Sequence, residues 1–257
     1  MAIAFDAAAT GVQTFGTGLT YSHTCTGTDR ALFVMVAASQ TVSSVTYGGV
    51  AMTLISGSGT GLVLAGLLNA ASGANDIVIT TAAPDPINAA SASYTGVDQA
   101  TGWENLAQAT TGDASPSVSV TSATGNLVVG GTAWGDNPGV LSQTPVAPVT
   151  ERAEEDGADS GNSAAIGDAP GAASVTFAWT RTGGGFFYAQ RIAAVSVLPS
   201  SPPIGPLITQ PDPTDGSGVA TATVTSDAPL TVAGEMLLVT FTRGAVTLRT
   251  TCWPETP

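Results

Sequence analysis

Ten residues, Arg30-Ala-Leu-Phe-Val-Met-Val-Ala-Ala-Ser39, set the limits on what this chain can fold into. An uninterrupted apolar run of this length suits a strand buried on both faces or deep in a sandwich core. The segment behind it, Ser44-Val-Thr-Tyr-Gly-Gly-Val-Ala-Met-Thr-Leu54, alternates instead. Val45 and Tyr47 fall on one side and Thr46 on the other; Val50, Met52 and Leu54 resume the pattern beyond Gly48-Gly49. Paired glycines tolerate the positive φ angles that a tight hairpin turn demands, so Val45–Leu54 reads as a β-hairpin.

The same signals recur along the chain. Leu19-Thr-Tyr-Ser-His-Thr-Cys-Thr26 has a period of two, which marks a strand with Leu19, Tyr21, His23 and Cys25 on one face. Leu62–Leu68 and Ile77–Thr80 read as strands, Ser72–Asp76 as a turn, and Ala83-Pro-Asp-Pro86 as a rigid loop before a strand over Ile87–Val97. Further strands are expected at Ser117–Thr121, Leu127–Trp134, Val146–Arg152, Ser174–Trp179 and Phe187–Leu198. Gly135–Gly139, the acidic stretch Glu151–Asp159 and Thr182–Gly185 read as loops. No segment keeps a helical period. Short strands between turn signals every ~8–12 residues indicate a sandwich or barrel.

The expected fold is therefore all-β: an antiparallel, jelly-roll-like β-sandwich over residues 1–198. Pro199-Ser-Ser-Pro-Pro-Ile-Gly-Pro206 reads as a proline-rich linker. Residues 207–257 form a small β-rich segment with strands near 218–225, 235–242 and 245–252. A segment of that size is marginal alone, so it is expected to pack on the main domain or on a partner subunit. Within the main domain, Leu32-Phe-Val-Met-Val echoes Leu127-Val-Val-Gly-Gly, Ser44-Val-Thr-Tyr echoes Ser174-Val-Thr-Phe, and Ala90–Val97 echoes Ile192–Val197. The echo suits a doubled-over antiparallel ribbon but falls short of a sequence repeat.

Charge narrows the function. Charged residues make up only 10% of the chain, with six arginines and no lysine, against roughly 25% in ordinary soluble domains. Small Thr, Ser, Ala and Gly side chains take their place. Such a surface loses little side-chain entropy when packed against a neighbour, whereas a buried Lys or Glu loses up to about 2 kcal/mol. Permanent packing in an assembly and a compositional bias of the source genome both account for it. A net charge of −13 argues against nucleic acid and against anionic membrane surfaces. No run approaches the ~18 apolar residues of a membrane-spanning helix. The N-terminus lacks a basic region, and Asp6 breaks its apolar stretch, so no secretory signal is expected there.

Candidate chemistry is sparse. His23 is the only histidine, and no Asp or Ser motif frames it, so a structural role is expected. Most acids fall in stretches read as loops, among them Asp76, Asp85, Asp113, Asp136, Glu154 and Glu155; Glu104 and Glu235 lie near apolar runs. A carboxylate pair for glycan hydrolysis is thus the least favoured option. Asp156-Gly-Ala-Asp-Ser-Gly-Asn162 offers Asp156 and Asp159 as weak calcium ligands, and Asp212-Pro-Thr-Asp215 a weaker set, neither with EF-hand spacing. Trp134 and Trp179 belong to apolar strands and are expected in the core. Trp103 follows a glycine and reads as an exposed loop residue, the best candidate for stacking on a sugar. Gly183-Gly-Gly185 lacks the Lys and helix of a phosphate loop. Cys25 and Cys252 are too few for a disulfide framework or thiolate metal site; they either pair or remain free thiols.

Thr20-Tyr-Ser-His-Thr24, Arg30-Ala-Leu-Phe-Val34, Val42–Leu54, Tyr94-Thr-Gly-Val-Asp98 and Ala193-Ala-Val-Ser-Val-Leu-Pro199 together resemble a widespread jelly-roll family. That family occurs in tailed-bacteriophage structural proteins and in bacterial surface proteins. The resemblance covers residues 10–199 and implies the fold more than the function, since jelly rolls serve capsid, lectin and carbohydrate-binding roles alike. It carries no catalytic motif. With the low-charge surface, it implies a non-enzymatic virion protein: a capsid decoration, head fibre or tail component assembled in the host cytoplasm. Such a protein would contact other virion proteins as a homo-oligomer, such as a trimer, without cofactor unless calcium binds at Asp156 and Asp159. The alternatives are a carbohydrate-binding module for host-surface glycans, with Trp103 in contact, and a glycan hydrolase.

Overall fold

In a computed structural model, the structure describes residues 1–112, 114–136, 141–156, 161–183, 187–201, 237–243 and 246–252. The chain divides into two compact units, Met1–Ser201 and Pro202–Pro257. The first is all-β and antiparallel, as the alternation demands. Its strands are β1 (Ala4–Cys25), β2 (Ala31–Ala38), β3 (Val42–Tyr47), β4 (Val50–Ala51), β5 (Thr53–Ser56), β6 (Leu62–Leu68) and β7 (Gly73–Thr95). They are followed by β8 (Trp103–Thr110), β9 (Ser117–Thr121), β10 (Leu127–Asp136), β11 (Leu141–Val146), β12 (Thr150–Glu155), β13 (Asn162–Pro170), β14 (Ser174–Gly183) and β15 (Phe187–Val197). In the second unit, β16 (Leu237–Arg243) and β17 (Val246–Cys252) form an antiparallel hairpin.

The hairpin read from Gly48-Gly49 is present, with φ of 55° and 80° at the two glycines joining β3 to β4. β2 is buried at every position, and its two faces enter different cores. Leu32, Val34 and Val36 pack with Val45, Tyr47, Ile77 and Ile79; Phe33 and Met35 pack with Val129, Ile166 and Val195. Full burial of each such side chain contributes about 1.5–3 kcal/mol, so this one strand anchors both layers beside it.

Two strands expected as fragments are long and continuous. β7 passes through Ala83-Pro-Asp-Pro86, which the sequence reads as a loop, and takes in most of the turn expected at Ser72–Asp76. Proline removes a ladder donor and is tolerated in a sheet at a bulge. The pairing of β1 with β7 jumps from Gly16↔Asp85 to Gly18↔Thr80 at this level, and Pro84 lies inside the jump. On the other edge of β7, β2 pairs along Ile87–Tyr94 and β3 along Ile77–Thr81. All three ribbons therefore bend together and carry one seven-stranded sheet over onto itself, which is how strands turn the corner of a sandwich.

The second half of the unit repeats this plan. Around β2 the order is β5-β6-β2-β7-β1, using the C-terminal half of β7 and the N-terminal half of β1. Around β10 it is β12-β13-β10-β15-β8. The folded-over layer is β3-β7-β1 in the first half and β11-β14-β9 in the second. β14/β15 and β8/β9 are the counterparts of β7 and β1, each split at the bend. The two halves meet face to face with opposite strand order: β1 on β12, β7 on β13, β2 on β10, β6 on β15 and β5 on β8. Exchanging the halves maps this set onto itself, so they are related like the subunits of an isologous dimer. Three cores result, one inside each half and one between them.

Three sequence expectations change here. Val146–Arg152, read as one strand, is the last residue of β11, a turn and the start of β12. Ser44-Val-Thr-Tyr and Ser174-Val-Thr-Phe are not equivalent, because the counterpart of β3 is β11 and that of β14 is the first part of β7. β13, the inner neighbour of β10, lies where no strand is expected: its Ala- and Gly-rich residues are buried on both faces and so show no alternation. Pro199 and Ser200, read as linker, are held to the sandwich by a bridge to Val97 and by the bond from Ser200 N–H to the Gly96 carbonyl.

Candidate assembly surface and buried polar networks

The outermost layers of the first unit present two outward faces. On β9, β14 and β11, alternate residues point away from the third core. Cross-strand pairs bring Thr121 to Ser174, Ser119 to Thr176, Thr180 to Thr144 and Thr182 to Ser142. This face carries hydroxyl groups and no charge, with Ala178 and Val146 as its apolar members. The matching layer of the first half shows Thr20, Ser22 and Thr24 from β1, Ser44 and Thr46 from β3, and Asp76, Val78 and Thr80 from β7. Both faces follow from the same rule: apolar residues alternate inward and small hydroxylated residues outward.

β1 adds an edge. Over 22 residues it pairs, among the described residues, with β7 alone. Its single charge, Asp6, accepts hydrogen bonds from the Thr26 amide and hydroxyl and from the Ser93 hydroxyl. These bonds hold the carboxyl below its usual range although partial burial works the other way. Of the exposed large hydrophobic side chains, Phe5, Val12 and Phe15 all lie on this strand, Phe15 at 70% exposure.

Three polar networks lie beneath these surfaces. Between the halves, Tyr94 donates to Asp168 Oδ2 at 2.9 Å. Arg152 grips the same carboxylate through Nε at 2.5 Å and a terminal nitrogen at 3.0 Å. The Arg152 guanidinium also lies 4.4 Å from the centroid of Phe5. Asp168 is almost fully buried, and the paired arginine supplies the charge that makes this tolerable.

A second network sits at the β10–β11–β12 end. Gln143 is buried; its Oε1 accepts from Thr132 and from Trp134 Nε1, and its Nε2 donates to Ser163. Its backbone N–H donates to Glu154. Burial, with Glu151, Asp156 and Glu155 nearby, pushes the Glu154 carboxyl up to about 7 despite that bond. Arg181 stacks 4.7 Å from the Trp134 ring centroid.

The third network holds His23, 2.9 Å from Ser91 Oγ through Nδ1 and edge-on to Tyr47. Burial depresses its pKa to about 4, against a smaller opposing pull from Asp6. The Asp6 carboxylate is hydrogen-bonded by Ser93 and Thr26, so Ser91, His23 and Asp6 do not line up as a Ser-His-Asp relay.

The remaining predicted residues separate clearly. Trp134 and Trp179 are core, as expected. Trp103 is not a loop residue: it opens β8, is half-buried, and packs edge-on against Phe33 at 5.5 Å between ring centroids. Gly102, with φ of 72°, makes the turn that precedes it. Asp76 and Asp85 lie in β7, and Glu154 and Glu155 in β12, rather than in loops. Asp85 is buried and accepts the amides of Ser39 and Gln40. Asp156 is half-buried at the end of β12; Asp159, its proposed calcium partner, lies outside the described residues, as do Asp113, Asp212, Asp215, Glu235 and Trp253. Among the described residues no three His, Cys, Asp or Glu side chains come together as a metal site. Cys25 is a free, buried thiol whose pKa is raised by that burial. Asp168 and Gln143 escape sequence reasoning. Only the isolated acid within an Ala- and Gly-rich stretch, with an arginine sixteen positions earlier, could have signalled the first.

No protein-family model matches the chain, and no curated protein or solved structure matches it at a significant level.

Proposed function

We propose that this chain is a non-enzymatic structural subunit of a bacteriophage virion, a capsid decoration, head fibre or tail component, acting through packing against its neighbours. The observation that carries the reading is the uncharged hydroxyl face of β9, β14 and β11. Threonine and serine have few rotamers to lose, so a flat face of them is covered at low entropic cost. No lysine stands anywhere in the sequence to oppose such a contact. The doubled sandwich, pinned between its halves by Arg152, Asp168 and Tyr94, supplies a rigid body on which both faces are held in place. The family resemblance of residues 10–199 is the reason for placing the subunit in a virion.

Peptide quantification on purified particles from a host producing this chain tests the reading. A fixed copy number per particle is expected. A chain that is abundant in the lysate and lacking from the particles would contradict it. Retention on immobilised host glycans, in that case, would favour the carbohydrate-binding alternative.

A further inference from the structure

We infer that two copies of this chain pair through the edge of β1 that no strand among the described residues covers, antiparallel about Thr10, so that their first sheets join into one continuous sheet. The inference names a homotypic contact within the assembly reading above and can fail independently of it.

Proteins blunt exposed strand edges by shortness, charge or bulges. Here β4 has two residues, β5 four and β9 five. β12 carries Glu151, Glu154 and Glu155 and a register shift. β8, the counterpart of the first part of β1, carries Glu104, a positive φ of 54° at Asn105 and a register shift opposite it. β1 between Ala7 and Gln13 has none of these devices: its pairing with β7 there is unbroken, and it contains no charged residue.

The residues on this edge also complement themselves. About a two-fold at Thr10, Ala8 faces Val12 and Ala9 faces Gly11 within the unbroken stretch Ala7–Gln13, so no charges meet there. Phe5 and Phe15, both exposed, lie just beyond the two ends of that stretch, where the register of β1 shifts. Backbone N–H and C=O groups along a free edge supply the ladder. An isologous contact of this kind closes at two copies, not three.

Light scattering on the full chain across a concentration series tests this. The expected species has twice the 25.3 kDa of one chain. Thr10 is exposed, so Thr10→Lys would place two ammonium groups face to face at the two-fold and weaken the dimer roughly tenfold or more, with thermal unfolding unchanged when both chains are diluted to monomers. Leu106→Lys on the β8 edge should leave the mass unaltered. Hydrogen exchange offers a check without mutation: amides of Ala7–Gln13 should exchange more slowly in the dimer than after dilution. A wild-type monomer, a dimer indifferent to Thr10→Lys, or exchange independent of concentration would each overturn the inference. A monomer that still binds particles would remove this contact and leave the assembly reading standing. A Thr10-dependent dimer that ignores particles would do the reverse.

Discussion

The Tyr94 hydroxyl donates to Asp168 Oδ2 at 2.9 Å across the boundary between the two halves of the sandwich. β7 and β13 come from different halves, and this bond, with the Arg152 pair behind it, fastens them together with the bond from Asn162 Nδ2 to the Pro86 carbonyl at 2.7 Å. Arg152→Ala would strand a buried carboxylate and is expected to cost about 3 kcal/mol. Tyr94→Phe should cost only about 1 kcal/mol. The double variant should fall short of the sum, since both act on one carboxylate. Urea unfolding of the three variants measures this; additive losses would mean the groups are not coupled.

The half-buried Glu154 and the buried His23 give the stability opposite pH slopes. The Glu154 carboxyl is raised from 4.5 to about 7 in the folded chain, so the fold holds that proton more tightly than the unfolded chain. Stability is full below 4.5 and declines as pH rises towards 7. His23 is lowered from 6.5 to about 4; there the unfolded chain binds the proton more tightly, and stability declines as pH falls through that window. The slopes oppose each other where they overlap. Glu154→Gln should abolish the decline towards neutral pH and expose the acid-side loss due to His23. Urea midpoints across the range check it: an unchanged profile would show that Glu154 titrates normally.

Gly131 lies on the central strand β10, where a Cβ would meet the Ala165 carbonyl oxygen at 2.1 Å and the Met35 side chain at 3.2 Å. The first contact is backbone of the neighbouring strand and cannot move aside cheaply. Gly131→Ala is therefore expected to destabilise by about 2 kcal/mol or more, read as a lowered melting temperature.

Cys25 should resist alkylation until the chain unfolds, because its thiol is buried and its pKa raised. Peptide mapping after iodoacetamide treatment, with and without urea, distinguishes this from an accessible thiol, which would label in native buffer.

Much of the fold is legible in the sequence, and the illegible parts share a cause. Val45–Leu54 and Leu19–Cys25 are half-buried, so their alternation declares them. β2 is buried throughout, but its large side chains still mark it as a strand. β13 is buried throughout with small ones, and Asn162–Pro170 gives no such mark. Pro84 and Pro86 hide the continuity of β7 because a bulge absorbs them. The duplication is written in strand order rather than in residues. Matching Ser44-Val-Thr-Tyr to Ser174-Val-Thr-Phe misses it, whereas the resemblance of Leu32–Val36 to the start of β10 catches it. Of the surface, the shortage of charge is plain from composition, but its concentration into the uncharged hydroxyl face of β9, β14 and β11 depends on which residues the pleat turns outward. Trp103 is misread because a preceding glycine signals a turn equally well when a strand begins directly after it.

We propose that this protein works by covering a neighbour's surface in a virion. Co-sedimentation of the purified full chain with particles assembled without it tests that most directly. The account predicts saturable binding with a fixed number of chains per particle, reduced when lysines are placed on the hydroxyl face at Ser119 and Thr176. A chain that stays in the supernatant at every concentration would contradict it.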